Sequence, residues 1–367
     1  MQAVILVGGK GTRLRPITYH IPKALVPLRN EPFMSYMVRF LRSGGLDGAV
    51  LSMGYLPDPI QAYFAKRKDL DDFKIDYAVE NRPLGTAGGI KNAEKYLEGG
   101  PLVVVNGDVL SGLDLKEAIR AHQESRAFAT ITLTSVEDPT AYGLVEVDHE
   151  MLVHRFIEKP AYDEITTNLI NAGVYVLEPG VLDMIPKGRE VSIEREIFPR
   201  LQEQGKLRAY VSSAYWRDIG TPRSYLAASH DALSGAVGAD ENFEYLSVDD
   251  STELGKNVKI LPPVSVAAGC KIGRRATVGG RSSLGYGCRI GEGAVVEGSI
   301  LLDGAEVEAG AVVRGSIIGP GARVGQRAIV RGLSVLGAEC VIGEGNILDQ
   351  GIRVNPGVVL SPRSLSF

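Results

Sequence analysis

Cysteine is scarce in this chain: Cys270, Cys288 and Cys340 are the only three in 367 residues. They share no C-x-x-C spacing, which excludes a disulfide framework and a thiolate metal cage, and their number fits a reducing compartment. Their plain reading is small buried hydrophobes. Histidine is scarce too. His20, His122, His149, His154 and His230 show no metal-ligand spacing. No apolar run approaches the roughly 20 residues that span a bilayer. The opening MQAVILVGG has no basic stretch before its apolar run and no small-residue cleavage site after it, so it reads as a first buried strand rather than a signal peptide. Excess positive charge is also missing. Forty basic against 44 acidic residues leave a formal charge of -4, so no global field draws the chain to nucleic acid or an anionic membrane. These absences predict a cytoplasmic protein with neither nucleic-acid nor membrane partners, in which any phosphate site is built locally.

What is present divides in two. Up to about Tyr225, short apolar strands alternate with helices. Ala3 to Val7 reads as a strand and Gly8 to Leu14 as a loop. Phe33 to Arg42 reads as a helix stopped by Gly44 and Gly45. Val50 to Met53 and Ile75 to Val79 are further strands, and Leu102 to Val105 runs straight into Asn106-Gly107-Asp108. Leu115 to Glu124 is an amphipathic helix. Such alternation predicts a mostly parallel sheet covered on both faces, with ligands at the carboxyl ends of its strands. The Gly8 loop and Asp108 both follow strands directly, so both belong on that edge.

From about Ile260 the period becomes six. Ile260, Val266, Ile272, Val278, Leu284, Ile290, Val296 and Leu302 fall on every sixth residue. After a slip of two the series resumes with Ile318, Val324, Val330, Leu336, Ile342, Leu348, Val354 and Leu360. Neither a helix nor a flat sheet has that period. A triangular coil does: each short strand is one side, its aliphatic residue points inward, and glycine or another small residue turns the corner. The boundaries follow: a first domain over 1–233, a linker over 234–255 rich in Gly, Ala, Asp and Glu, and a coil over 256–367.

Four constellations carry chemistry. Gly8-Gly9-Lys10-Gly11-Thr12-Arg13-Leu14, with Pro22-Lys23 following, lets backbone N–H groups approach an anion and adds a guanidinium fork and a mobile ammonium. It is neither a Walker A loop nor a G-x-G-x-x-G fingerprint. Asn106-Gly107-Asp108 ends a strand with a carboxylate suited to Mg²⁺, although an Asx turn explains the same residues. Asp218, in Trp216-Arg217-Asp218-Ile219-Gly220-Thr221-Pro222, is a second carboxylate or a cap for a helix starting near Pro222. Glu158-Lys159-Pro160, Asn171-Ala172-Gly173 and Tyr142-Gly143 offer acceptors and donors for sugar hydroxyls and a cation for a phosphate, or a solvated surface pair. In Glu80-Asn81-Arg82-Pro83-Leu84-Gly85-Thr86, a carboxylate could take guanine's two adjacent donors and backbone groups at Leu84, Gly85 and Thr86 could meet a base edge; Glu80 could equally face solvent.

The string GGKGTRLRPITYHIPKALVPL resembles the signature of the sugar nucleotidyltransferase family, and the sixfold repeat resembles a left-handed parallel β-helix of hexapeptides. The resemblance implies an α/β Rossmann-like nucleotidyltransferase domain with a mostly parallel sheet, followed by that β-helix. It implies that Gly8, Gly9, Gly11, Thr12 and Arg13 bind nucleotide phosphates and that Lys23 reaches a phosphate. Asp108 and Asp218 then hold Mg²⁺, Lys159 holds the sugar phosphate, Glu158 and Asn171 hold sugar hydroxyls, and Gly143 and Gly173 line the sugar pocket. The segment around Glu80 resembles the guanylyltransferase branch that acts on mannose-1-phosphate and GTP; pyrimidine-using relatives tend to carry glutamine there.

The reaction implied is direct displacement. A sugar-phosphate oxygen attacks the α-phosphorus of the nucleoside triphosphate, and pyrophosphate leaves in line. Other readings are uridylyl or thymidylyl transfer to glucose-1-phosphate, a non-catalytic paralogue that binds nucleotide sugars, and an acyltransferase built on the coil. The last is opposed by the absence of histidine from the repeats. The coil then serves packing or homo-oligomer formation. Trp216, the single tryptophan, either flanks the sugar or simply packs.

Overall fold

A computed structural model describes residues 1–237 and 243–366. The chain separates into two compact units, and neither is continuous in sequence. One comprises residues 1–10 and 34–216; the other comprises 11–33 and 217–367. All of the signature string but its first three residues, 8–10, therefore groups with the coil.

In the first unit, apolar runs without polar alternation become strands buried on both faces. Gln2–Leu6 is parallel to Gly48–Met53 on one side and to Leu102–Asn106 on the other, and Lys74–Val79 extends the block beyond Gly48–Met53. Ala3, Val4, Ile5, Val103 and Val104 have no exposed surface to speak of. Leu169–Leu177 then joins antiparallel to Leu102–Asn106 and also pairs with Ala129–Ser135 and, at one bridge, with Gly143–Val147. Val153–Glu158 adds antiparallel to Gly143–Val147 and Leu207–Val211 parallel to Ala129–Ser135, completing a nine-stranded sheet. The expected helices run Phe33–Ser43 and Leu115–Ser125. Gly45, at φ 82°, ends the first, and Asp114 caps the second through the Lys116 and Glu117 N–H groups.

The coil of the second unit is three parallel sheets of seven, seven and six two- or three-residue strands, as a left-handed β-helix requires. Its first strands, Leu246–Val248 and Glu253–Leu254, pair with Val264–Val266 and Lys271–Ile272. The coil thus opens inside the stretch that composition marks as linker; residues 238–242 of that stretch, and Phe367, lie outside the described residues. A Cβ on Gly273 would come 2.8 Å from the Glu292 nitrogen of the next coil, which is why glycine follows the inward aliphatic residue there.

The slip of two in the sixfold series is split into two single-residue shortenings. Leu284 pairs with Leu301, and Leu301 pairs with Ile318, so both steps are 17 residues where the neighbouring steps of that column, Val266 to Leu284 and Ile318 to Leu336, are 18. Leu301, not Leu302, takes the inward place. The shortened corners carry Gly298 and Gly315, both with positive φ.

The three outer faces differ. One column runs Glu253, Lys271, Arg289, Glu306, Arg323 and is solvated. Another runs Ser265, Ser283, Ile300, Ile317, Val335, and every member is at most 4% exposed although it points away from the coil interior. On that side lie the helix Pro222–Leu233, which contacts Ser282–Leu284, and the segment 11–33. His230 Nε2 lies 3.0 Å from the Gly298 carbonyl, Asn30 Nδ2 donates to Ser265 Oγ at 3.0 Å, and Tyr225, fully buried, donates its hydroxyl to the Pro27 carbonyl at 2.8 Å. Burial holds the His230 imidazole below its ordinary pKa, partly offset by that carbonyl.

Candidate active site

In the first unit, register fixes the edge. Leu6 pairs with Asn106, so the Gly8 loop and Asp108 leave the sheet side by side. Gly107 donates its N–H to the Leu6 carbonyl at 2.9 Å, and a Cβ there would sit 2.5 Å from that oxygen, so glycine is required for the crossing. Around Gly9 a Cβ would meet nothing within 4 Å.

Glu80 turns toward that loop. A Cβ on Gly8 would meet its carboxylate at 3.5 Å. The carboxylate accepts the Ser52 hydroxyl at 2.9 Å and the Leu84 N–H at 3.2 Å, which leaves further lone pairs on both oxygens. Leu84 in turn gives its carbonyl to the Val191 N–H at 2.8 Å. Its backbone thus shapes the turn that launches the helix Gly85–Ala93. Gly85 adopts φ 71°, with the Val191 carbonyl 2.5 Å from where a Cβ would stand.

Of the residues expected to meet a sugar, Glu158 feels the charge of a carboxylate that sequence reasoning missed, Glu194, and Asn171 is linked to it through Tyr175. Glu194, in a π-turn over Ile193–Ile197, accepts the Thr86 hydroxyl at 2.7 Å and the Ser192 hydroxyl at 2.8 Å, with the Tyr175 hydroxyl at 3.5 Å. Thr86 Oγ1 also accepts the Ile193 N–H at 2.8 Å. Asn171 bonds the Tyr175 hydroxyl through Nδ2 and the Gly173 N–H through Oδ1, both at 2.9 Å. Gly173, at φ 74°, sits in the irregularity between Asn171 and Tyr175, and a Cβ on it would press Asn106 Nδ2 at 2.9 Å. Gly143 pairs with Glu158, and its Cβ would lie 3.0 Å from Glu158 Oε2. Burial, then the charge of Glu194, raise the Glu158 pKa; Lys159 and Arg195 oppose them. Lys159 takes φ 56° and donates its N–H to the Tyr142 carbonyl at 3.0 Å. Trp216 flanks this group: its indole N–H donates to the Ala172 carbonyl at 2.9 Å, and its ring meets Tyr142 edge to face at 5.3 Å. The signal for Glu194 in the sequence was only Ser192-Ile193-Glu194-Arg195-Glu196, which reads as an ordinary charged turn.

The second unit holds Gly11, Arg13, Lys23 and Asp218. Gly11 adopts φ 59°, and a Cβ there would press Thr18 at 3.1 Å and the Lys23 stem at 3.3 Å. The Thr18 hydroxyl closes the loop on the Gly11 carbonyl at 2.7 Å. Thr12–Leu14 forms a 3-10 turn with Leu14 buried and Arg13 outward. Arg13 and Asp218 come together: a Cβ on Gly220 would meet the Asp218 carboxylate at 2.5 Å and the Arg13 guanidinium at 2.8 Å. Asp218 accepts the Gly220 N–H at 2.9 Å. The helix Pro222–Leu233 is capped by Thr221, whose hydroxyl accepts the Ser224 N–H at 3.1 Å, so Asp218 is not its cap.

A family model described as nucleotidyl transferase matches residues 2–235, and one described as GMPPB C-terminal domain matches 260–361. The chain belongs to the nucleotidyl transferase family. It is 40% identical over 314 residues to a mannose-1-phosphate guanylyltransferase of Mycobacterium tuberculosis, covering 84% of this chain and 81% of the relative. It is 38% identical to a mannose-1-phosphate guanyltransferase of Pichia angusta, covering 74% of each. The solved structure of HddC from Yersinia pseudotuberculosis is similar with a TM-score of 0.56 and 34% identity, covering 63% of this chain and 98% of that one; HddC has also been solved in complex with GMP-PN. The chain is an enzyme of the nucleotidyltransferase type.

Magnesium takes oxygen ligands and keeps positions for phosphate and water. Among the described residues no group of three or more His, Cys, Asp or Glu is assembled. Asp108 is a single carboxylate in a turn, and Asp218 is one at the end of the short strand Trp216–Asp218. Carboxylates that stand singly fit an ion brought in with a nucleotide and not one caged by protein. Nor is any helix among the described residues long and apolar enough to cross a membrane.

Proposed function

We infer that the enzyme transfers the guanylyl group of GTP to mannose-1-phosphate and releases pyrophosphate. The observation that carries this reading is the Glu80 carboxylate beside Gly8. An acceptor held next to a phosphate loop suits guanine, whose ring N1–H and exocyclic amino group are adjacent donors. The names of the relatives and the GMP-PN complex of HddC support the same base.

Leu84, Gly85 and Thr86 set the floor of the base side. Gly8, Gly9, Gly11 and Thr12 offer backbone to the phosphates, while Arg13 and Lys23 neutralise them. Lys159 takes the sugar phosphate, Glu158 and Asn171 orient hydroxyls, and Gly143 and Gly173 leave room for the ring. The nucleophile, a phosphate oxygen, is already anionic at neutral pH, so no general base is needed. What opposes reaction is repulsion: two unit charges about 4 Å apart cost about 4 kcal/mol at an effective dielectric of about 20. Positioning and charge neutralisation are therefore the chemistry this chain must supply. Asp108 and Asp218 would hold Mg²⁺, which when bound neutralises phosphate charge. We also read the enzyme as cytoplasmic, on its three free thiols, and as a homo-oligomer joined through the coil, where Leu254, Leu261 and Val359 are exposed.

A panel of nucleoside triphosphates against sugar-1-phosphates, scored by pyrophosphate release, tests the reading. GTP with mannose-1-phosphate should give the highest kcat/KM, and Glu80→Gln should lower it roughly 10- to 200-fold. Preference for UTP or dTTP with glucose-1-phosphate would overturn it.

A further inference from the structure

The buried outer column of the coil ends on a charge. Ser265, Ser283, Ile300, Ile317 and Val335 precede Arg353, which pairs in register with Val335. Arg353 is exposed where its predecessors are not. Other arginines of the coil give their guanidinium to a carboxylate one coil away: Arg314 to Glu297 at 2.8 Å, Arg331 to Asp349 at 2.7 Å. Arg353 instead donates through Nη1 to two backbone carbonyls, of Arg13 at 3.2 Å and Arg15 at 3.3 Å. Those carbonyls bracket the end of the 3-10 turn that carries Arg13. Holding both fixes the backbone on which the Arg13 guanidinium leans toward Asp218.

We propose that Arg353 is a positioning residue for the phosphate-binding turn, through which the coil sets the direction of Arg13. The buried column seats the coil against its own unit, and Arg353 at its end reaches back to the signature loop 340 residues earlier in sequence. The coil then acts on turnover as well as on stability. The inference rests on the reading of Arg13 as a phosphate ligand.

The test uses the full chain with the triphosphate preferred in the panel. Arg353→Ala should lower kcat roughly 10- to 100-fold, the scale of a displaced reacting group, with the KM for the sugar phosphate and the thermal midpoint as in wild type. Arg353→Lys should recover part of the loss. Arg331→Ala, which cuts a coil-to-coil pair away from the turn, should keep wild-type kcat. Wild-type kcat in Arg353→Ala, with Arg13→Ala inactive, overturns the inference alone. An equal loss in Arg331→Ala overturns it as well, because the effect would then be coil integrity. Wild-type kcat in Arg13→Ala takes down the phosphate reading itself.

Discussion

The sheet unit and the coil use the same residue types to opposite ends. In the coil, glycine recurs because neighbouring coils stack too closely for a side chain, as at Gly273, and each aliphatic residue does the same task as the one 17 or 18 places away. In the sheet unit each glycine answers a different neighbour: Gly85 the Val191 carbonyl, Gly107 the Leu6 carbonyl, Gly143 the Glu158 carboxylate. Charges differ likewise. Coil carboxylates pair with arginines in solvent, where such pairs contribute about 0–1 kcal/mol. Glu194 is tied by three hydroxyls and shifts the titration of Glu158. Repetition spreads stability over many equivalent positions; a site concentrates function in a few that have no substitute.

That contrast can be broken by substitution. Asp108→Asn changes one carboxylate oxygen at a half-buried turn. It should cost at least roughly 10³-fold in turnover, about 4 kcal/mol, with an unchanged unfolding transition. Near-wild-type pyrophosphate release in that variant would remove Asp108 from the site. Ile342→Val, inside the coil and fully buried, should do the reverse. It should lower stability by about 0.5–1.5 kcal/mol in denaturant unfolding and leave kcat alone. A kinetic defect there would mean that the coil interior and the chemistry are coupled more tightly than one surface arginine provides.

The smallest effect sharpens the electrostatic side. The Glu158 pKa is raised, chiefly by burial and next by Glu194. As pH falls from neutral, Glu158 therefore takes up its proton earlier than an ordinary carboxylate, and the KM for the sugar phosphate should rise earlier. Glu194→Gln removes a negative neighbour, favours the ionised form and should move that rise to lower pH. A profile unmoved by Glu194→Gln would show that Glu194 has no part in that titration.

Much of this was legible in the residues. The sixfold aliphatic period dictated a triangular coil because no other backbone geometry repeats at six. The strand ends placed Gly8 and Asp108 on one edge because parallel strands share a direction. The structure alone decided what depends on pairs distant in sequence. It divided the slip between two corners and gave Leu301 the place expected for Leu302. It turned Glu80 inward, put Thr221 at the helix start in place of Asp218, and gathered Thr86, Tyr175 and Glu158 around Glu194. It also showed that one outer column of the coil is buried and ends at Arg353. Local sequence carries backbone preference and period; which side chains face one another is settled only when register and packing bring remote segments within a few ångströms.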